Sequence, residues 1–298
     1  MQDMNTLKIK FILLTLVSAF SLPPFARLHA ATTIDPANRY AYGANLGWVD
    51  WRGDTANGAV IGEYVCSGYI YSANVGWINL GSGVPANGIQ YQNNSGTDFG
   101  VNQDGHGNLR GYGYGANIGW VNFETNGAPK FSFISGKFSG SIYSANCGWI
   151  SLSNASAFVQ TDVIAPGADT DGDGIPDAWE LQNFGNLTTA NASSDADHDG
   201  ATDLQEYLAD TNPNDANDKL VITAESFGPG GTNAALTWKS TTTRLYYIQQ
   251  NLNLNTSAWA DNSLGLITPD GTNTTRAFGD TNAPSRFYRI RAVKPLSP

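Results

Sequence analysis

Acidic residues between positions 169 and 206 have the types and spacing needed to bind a hard metal cation. They form two twelve-residue loops, each with carboxylates at loop positions 1, 3, 5, 9 and 12 and with glycine at position 6. Calcium takes roughly six to eight oxygen ligands, which such a loop supplies from its carboxylates, from the backbone carbonyl at position 7 and from the final glutamate. The pattern therefore predicts two calcium ions. The expected ligands are Asp169, Asp171, Asp173, Ile175, Asp177 and Glu180 in the first loop, and Asp195, Asp197, Asp199, Ala201, Asp203 and Glu206 in the second.

The charge of the surrounding segment favours the same interpretation. Between Asp162 and Asp218 there are 14 acidic residues and no Lys or Arg. Two like charges about 4 Å apart repel by roughly 1 kcal/mol in water and by about 4 kcal/mol at an effective dielectric constant near 20. We therefore expect the segment to be largely disordered without a cation. A solvated linker is the alternative, but two complete copies of the loop pattern, close together in the chain, argue against chance.

Each loop leads into a short predicted helix. Pro176 suits the first turn of the first helix, over residues 178–184, while Leu204 and Tyr207 lie on one apolar face of the second. No helix precedes the first loop, because Ala165-Pro166-Gly167 interrupts the chain there.

Residues 169–218 resemble thrombospondin type 3 or dockerin-like calcium-binding repeats more than a complete EF-hand domain. Loop position 8 holds Pro176 and Thr202, where paired EF-hands usually carry a β-forming hydrophobe. The resemblance implies the carboxylate ligands named above. In the polar tail of the segment, Asp210 or Asp215 is an additional candidate ligand.

A seven-residue pattern occurs four times before the acidic segment. The interval between its first two tryptophans recurs between its last two, so a pair of copies is duplicated. Asn followed two residues later by Gly favours a tight turn, and each copy therefore predicts a β-hairpin. The sequence predicts a mainly β protein in which residues 31–160 form an antiparallel domain of ten or more short strands. The copies are Tyr42-Gly-Ala-Asn-Leu-Gly-Trp48, Tyr71-Ser-Ala-Asn-Val-Gly-Trp77, Tyr114-Gly-Ala-Asn-Ile-Gly-Trp120 and Tyr143-Ser-Ala-Asn-Cys-Gly-Trp149.

The repeated Asn and Trp admit two interpretations. In the structural one, Asn forms the turn and Trp fills the core, so that each Trp→Ala change costs about 3–5 kcal/mol. In the other, the aromatic rings and amides form a carbohydrate-binding surface. We favour the first, because a residue present in every copy usually builds the copy. Residues after the first hairpin are better candidates for binding: Asp50, Trp51, Arg52 and Asp54. The pattern resembles the Asn-x-Gly-Trp-Ile hairpin repeats of bacterial exported proteins.

The N-terminal segment, 1–30, has the organisation of an export signal. Two lysines precede an apolar run over residues 11–22, and cleavage is expected near Ala31. This run is shorter than the roughly 20 residues that cross a bilayer. The mature chain is therefore expected to be secreted or at the cell surface. There Cys66 and Cys147 either form a disulfide or remain two buried thiols.

Residues 219–298 lack the acidity of the preceding segment and show strand patterns separated by turns. About 80 residues of this kind predict a β-sandwich, and the domain resembles a fibronectin type III-like module. The strand patterns lie at 220–224, 235–238, 245–249, 274–278 and 286–293.

The sequence indicates no catalytic constellation. His106 lies in a Gly-rich turn, and nothing in the pattern brings together Glu63 and Glu124, the glutamates of the β-repeat domain. After residue 30 the chain has 13 basic and 25 acidic residues, which disfavours nucleic-acid and anionic-membrane partners. We expect a non-enzymatic structural or adhesive protein in which calcium rigidifies the link between two β domains, without a membrane span. Carbohydrate binding by the β-repeat domain is the alternative. Expected partners are calcium and a cell-surface glycan or protein.

Overall fold

The computed structural model describes residues 32–53, 56–228, 233–252, 259–279 and 287–298. These residues are mainly β, as the sequence predicts. The expected export signal and Asp54 lie outside the described residues. The strands of the N-terminal part are β1 (Ile34–Gly43), β2 (Gly47–Asp50), β3 (Val60–Ile61), β4 (Cys66–Ser72), β5 (Gly76–Ser82), β6 (Val101–Gln103), β7 (Leu109–Gly115), β8 (Gly119–Asn122), β9 (Lys130–Phe131), β10 (Phe138–Ser139), β11 (Ser141–Ser144), β12 (Gly148–Ser151) and β13 (Val159–Thr161).

Four hairpins close into an eight-stranded antiparallel barrel. Each repeated pattern forms one hairpin, β1–β2, β4–β5, β7–β8 or β11–β12, and each hairpin also pairs with the next. The last strand, β12, returns to β1 through the pairs Tyr42–Ser151 and Gly43–Ile150. Closure leaves no free edge between these eight strands. The four copies therefore lie side by side around one barrel.

The repeated turn links neighbouring hairpins. In the first copy the Leu46 N–H donates to the Gly43 carbonyl over 3.1 Å, and Gly47 follows with a φ of +80°. Glycine adopts this left-handed conformation without steric cost, and the predicted turn is confirmed. The Asn side chain does more than form its own turn, because it donates to a main-chain carbonyl in the adjacent copy. Four such bonds form a closed ring: Asn45 to Cys147 (3.3 Å), Asn74 to Leu46 (2.9 Å), Asn117 to Val75 (3.0 Å) and Asn146 to Ile118 (3.0 Å).

The repeated tryptophans lie on the outside of the barrel, so their predicted role as core fillers is wrong. Trp48, Trp77, Trp120 and Trp149 are 50%, 42%, 46% and 49% exposed. The two-residue period of a strand explains this, since the Val or Ile after each Trp faces the core and the Trp must face outward. Each Trp packs instead against a Tyr on the neighbouring strand of its hairpin, at ring-centroid distances of 4.7 to 5.0 Å.

Of the candidate binding residues after the first hairpin, the three described ones, Asp50, Trp51 and Arg52, are engaged in structural contacts. Trp51 is fully buried and packs on Phe138 with a ring-centroid distance of 5.2 Å. Asp50 forms a 3.0 Å salt bridge with Arg39, and Arg52 donates to a main-chain carbonyl of β1. Trp51 therefore has the core role that the sequence analysis expected of the repeated tryptophans.

The two cysteines are separate buried thiols, which answers the question that the sequence left open. Burial raises the pKa of the Cys66 thiol to about 12. Cys147 occupies the turn position filled by Leu46, Val75 and Ile118 in the other copies, and all four side chains join the barrel core.

Two short helices follow the acidic loops, as predicted: α1 (Asp177–Phe184) and α2 (Asp203–Ala209). Ile175 and Tyr207 are the centre of a small apolar cluster, against which Trp179 and Phe184 pack. Nowhere in the described ranges does a helix have the length and apolar character of a membrane span.

The C-terminal residues form two three-stranded sheets around one apolar core. Their orders are β14-β15-β18 and β17-β16-β19. Trp238 and Phe278 from one sheet and Tyr246 and Ile248 from the other belong to this core. The strands are β14 (Ile222–Phe227), β15 (Asn233–Lys239), β16 (Leu245–Asn251), β17 (Ala260–Asp261), β18 (Asn273–Gly279) and β19 (Phe287–Val293).

Candidate calcium-binding site

The two acidic loops have the same backbone frame. At loop position 9, the Asp177 N–H donates to the Ala168 carbonyl over 2.7 Å and the Asp203 N–H donates to the Ser194 carbonyl over 2.8 Å. Each loop is therefore closed by a bond to the residue just before it. The glycines at position 6 have φ values of +97° and +93°. Other residues are strained there, which is why the pattern requires glycine.

The carboxylates at positions 1, 3 and 5 come together in each loop. Their ligand oxygens lie within 4.8 Å of one another. Backbone N–H groups hold the first carboxylate of each loop, since Asp169 accepts from Gly174 over 3.2 Å and Asp195 accepts from Gly200 over 3.0 Å. The two groups are Asp169, Asp171 and Asp173, and Asp195, Asp197 and Asp199.

The glutamates at position 12 are buried without sufficient partners. Glu180 and Glu206 are both 0% exposed. Among the described residues, neither carboxylate oxygen of Glu180 has a hydrogen-bond partner, and Oε2 of Glu206 has none. Burial, followed by the charge of Asp171 and the other loop aspartates, raises the pKa of Glu180 to about 7. Burial also raises the pKa of Glu206 to about 7, although a hydrogen bond from Thr211 acts in the opposite direction.

Further carboxylate oxygens without a hydrogen-bond partner lie at loop positions 3 and 5. Within the described ranges, Oδ2 of Asp173, of Asp197 and of Asp199 is buried and lacks a hydrogen-bond partner. Leaving a buried carboxylate oxygen without a partner is costly, so those of Asp173 and Asp197 call for a positive charge beside them. Asp199 Oδ2 already has the Lys219 ammonium at 3.9 Å. The donor set consists of anionic oxygen atoms, which are the ligands that hard divalent cations such as calcium and magnesium prefer.

The aspartates at position 9 are oriented differently from the other predicted ligands. Both oxygens of Asp177 accept from Thr170, over 2.7 and 2.6 Å. Asp203 is buried and accepts from the Ser194 hydroxyl over 2.5 Å. These two side chains brace their loops, and contact with an ion through water is the role usual for this loop position. Of the two additional candidates, Asp210 forms a 3.7 Å salt bridge with an arginine of the C-terminal part, and Asp215 accepts from the Asn217 N–H over 3.1 Å.

Sequence reasoning missed a polar cluster that joins the loops to both β domains. Tyr207 follows the predicted ligand Glu206, and its hydroxyl donates to the barrel residue Glu63 over 2.9 Å. Lys294, just after β19, forms a 2.7 Å salt bridge with Glu63 and donates to the Tyr207 hydroxyl. Burial raises the pKa of Tyr207 and lowers that of Lys294. Arg244 donates to the Tyr207 carbonyl over 2.9 Å.

The other residues singled out from the sequence are engaged separately. The His106 N–H donates to Asp104 over 2.9 Å within an exposed turn. Glu124 accepts from the Gly111 N–H over 2.8 Å. Glu63 belongs to the polar cluster at Tyr207, so these groups serve different local structures.

No protein family matches the chain, and no curated protein or solved structure is significantly similar to it.

Proposed function

We propose that this chain is an exported, non-enzymatic calcium-binding protein in which two ions rigidify the link between the barrel and the C-terminal β domain. The observation that carries the proposal is the pair Glu180 and Glu206, which are buried and incompletely partnered. Each follows an acidic triad in the same loop. Calcium accepts irregular coordination by several carboxylates, whereas magnesium demands a near-regular octahedron and retains water. Calcium is therefore the better match.

The contacts of the acidic segment support a structural role. On the barrel side, α1 approaches closely enough that a side-chain carbon added at Gly88 would meet Leu181 at 2.8 Å. On the C-terminal side, Arg244 donates to the carbonyls of Tyr207 and Leu208 over 2.9 and 2.8 Å. A segment ordered by calcium would hold both neighbours, whereas a disordered one would release them.

The proposal includes the modules and the location expected from the sequence. We infer that the acidic segment is a thrombospondin type 3 or dockerin-like pair of loops. Two sheets around one core support a fibronectin type III-like sandwich for residues 219–298. Export through residues 1–30 would bring the protein to the cell surface or extracellular space, where a structural or adhesive role is the best fit.

Calorimetric titration of the intact purified protein with calcium chloride, combined with thermal melting, tests the proposal. We expect two bound ions and a melting temperature that rises with free calcium and falls again with EGTA. When free calcium is at 100 times the Kd of a site, binding at that site adds about 2.7 kcal/mol to the free energy of unfolding. Magnesium chloride is the matched control and should stabilise less. Extracellular loops bind at roughly 10⁻⁴ to 10⁻³ M, so the absence of calcium binding up to about 10 mM would contradict the proposal.

Carbohydrate binding by the barrel is the second candidate function, and the exposure of its four repeated tryptophans favours it. The outer surface alternates these aromatic pairs with polar side chains. For example, Asn79 on β5 lies directly opposite Tyr114 on β7. Aromatic rings that offer an apolar surface beside polar groups suit the faces and hydroxyl groups of sugars.

Trp77→Ala and Trp120→Ala, assayed on a glycan array, test this second candidate. The barrel should remain folded, because both side chains are more than 40% exposed and their loss costs less than the about 3–5 kcal/mol of a buried aromatic. Glycan binding should weaken at least tenfold. Val84→Ala changes an exposed side chain of the same domain and serves as the control. Unchanged glycan binding in both Trp variants would show that the outer surface of the barrel is not the carbohydrate-binding site.

A further inference from the structure

A cleft of about 600 Å³ lies where the barrel, the acidic segment and the C-terminal residues meet. Ligand pockets typically have volumes of roughly 300–1,000 Å³ and often lie between domains. The barrel contributes Tyr64 and Gln103, α1 contributes Trp179 and Gln182, and the C-terminal part contributes Lys294. The complete cleft therefore requires three parts of the chain.

Most charged groups of the cleft are paired within the protein, and the Asp104 carboxylate accepts hydrogen bonds from His106 and Asn108. Lys294 forms its 2.7 Å salt bridge with Glu63. Arg244 lies 3.7 Å from Asp210 and also donates to main-chain carbonyls. Asp218 accepts from a main-chain N–H over 3.1 Å and lies 3.8 Å from a lysine. A charged ligand would have to displace one of these contacts, which favours a neutral ligand.

Neutral polar groups of the cleft remain available. Across the described ranges, the Tyr64 hydroxyl, the Trp179 indole N–H and the Gln182 side-chain amide form no hydrogen bond within the protein. The Lys294 ammonium lies over the Tyr207 ring, 4.3 Å from its centroid, and covers one face of it. Trp179 packs edge-on near Tyr207, with the ring centroids 5.9 Å apart. Tyr64 and Trp179 are therefore two aromatic side chains of the cleft that carry a free polar group, and Trp179 has the larger ring system.

We propose that this cleft binds a neutral saccharide, with an apolar sugar face against Trp179 and hydroxyl groups bonded to Tyr64, Trp179 and Gln182. Sugars combine hydroxyl groups with apolar faces, and the cleft offers partners for both, while its carboxylates are engaged in ion pairs or hydrogen bonds within the protein. The inference rests on the proposed function in one respect. Trp179 and Gln182 both lie on α1, which begins inside the first acidic loop: Trp179 is loop position 11 and Gln182 lies two residues after Glu180, so calcium is needed to hold them in the cleft.

An array of neutral gluco-, manno-, galacto- and N-acetylglucosamine oligosaccharides, probed with the intact protein in calcium and in EGTA, tests the inference. Binding is expected in calcium and lost in EGTA. Gln182→Ala alters an exposed side chain, and Trp179→Phe retains an aromatic ring while removing the indole N–H. Each should weaken binding at least tenfold, while calorimetry still finds two calcium ions. Val84→Ala changes an exposed side chain of the barrel and is the control, which should leave saccharide binding unchanged. Trp77→Ala tests separately whether any binding belongs to the barrel surface.

The possible failures are distinguishable. Calcium binding without any neutral saccharide binding overturns the cleft proposal and leaves the proposed function standing. Saccharide binding that is lost in Trp77→Ala but retained in Gln182→Ala belongs to the barrel and also overturns it. Binding restricted to sulfated or carboxylated glycans contradicts the neutral chemistry. Saccharide binding without calcium binding would contradict the proposed function and the calcium dependence together.

Discussion

The two acidic loops have one ligand pattern but different support. At loop position 4, Gly172 and His198 both adopt positive φ values, +76° and +62°, and only glycine does so without strain. The second helix has a capping box in which Thr202 and Gln205 bond reciprocally. Pro176 at the start of the first helix provides no side-chain cap. The second loop is thus stabilised by the capping box of its own helix, which offsets the backbone strain at His198.

The electrostatic surroundings of the two loops differ in the same direction. Glu206 accepts from the Thr211 hydroxyl over 3.2 Å, whereas Glu180 has no partner among the described residues. Lys219 lies 3.9 Å from Asp199 Oδ2, and the salt bridges of the described residues include none to the first loop. A pattern of ligands therefore does not define a site by itself. We infer that the first loop depends more completely on its cation.

Removal of a position 12 glutamate should have the largest effect. Glu180→Ala should weaken calcium binding at the first site, and Glu206→Ala at the second. Each loss should be at least about tenfold, or about 1.4 kcal/mol, because the coordination shell loses the bidentate carboxylate of loop position 12. Calorimetry should report one remaining strong site in either variant.

A second measurement compares the two loops without calcium. In EGTA, Glu180→Gln should raise the melting temperature more than Glu206→Gln, because the buried charge of Glu180 has fewer hydrogen-bond partners. The reverse order would contradict the assigned difference between the loops.

Loss of the cap on α2 should have a smaller effect. Thr202→Ala removes the side-chain acceptor for the Gln205 N–H and should cost about 1 kcal/mol. Thr202→Ser keeps the hydroxyl and is the matched control. Thermal melting in saturating calcium, with hydrogen exchange of the α2 amides, measures the difference. If the Ala and Ser variants are equally stable, the capping box does not support the second loop.

Local patterns predicted the turns and the loops because each depends on a few neighbouring residues. The Asn45-Leu46-Gly47 turn and the two helices follow from residue types at short spacing. The orientation of Trp48 was also accessible from the sequence, because strand alternation beside the buried Val49 turns it outward. The error came from treating repetition as a sign of burial.

The rest depends on contacts between distant residues. Nothing local signals that β12 pairs with β1, since Tyr42 and Ser151 are opposite only after four hairpins have closed. The bond between Tyr207 and Glu63 spans 144 residues. Tertiary contacts decide such pairings, and short patterns do not contain them.

The positive charge beside the second loop gives the smallest predicted effect and tests the electrostatic half of the comparison. Lys219 donates to the Asp199 carbonyl over 2.5 Å, so its ammonium would compete with a calcium ion bound in the same loop. Lys219→Ala should therefore tighten the second site by about threefold, or about 0.7 kcal/mol. The measurement is best made in Glu180→Ala, where the second site binds alone.

Lys239→Ala is the matched control, because Lys239 lies 3.8 Å from Asp218 and forms no salt bridge with either loop in the described ranges. It should leave calcium affinity nearly unchanged. The gain from Lys219→Ala should shrink at high salt, since a half-exposed ammonium is screened by mobile ions. If Lys219→Ala weakens calcium binding instead, Lys219 stabilises the fold of the second loop more than it competes with calcium. The weaker dependence of that loop on its cation would then arise from its structure rather than from the charge of Lys219.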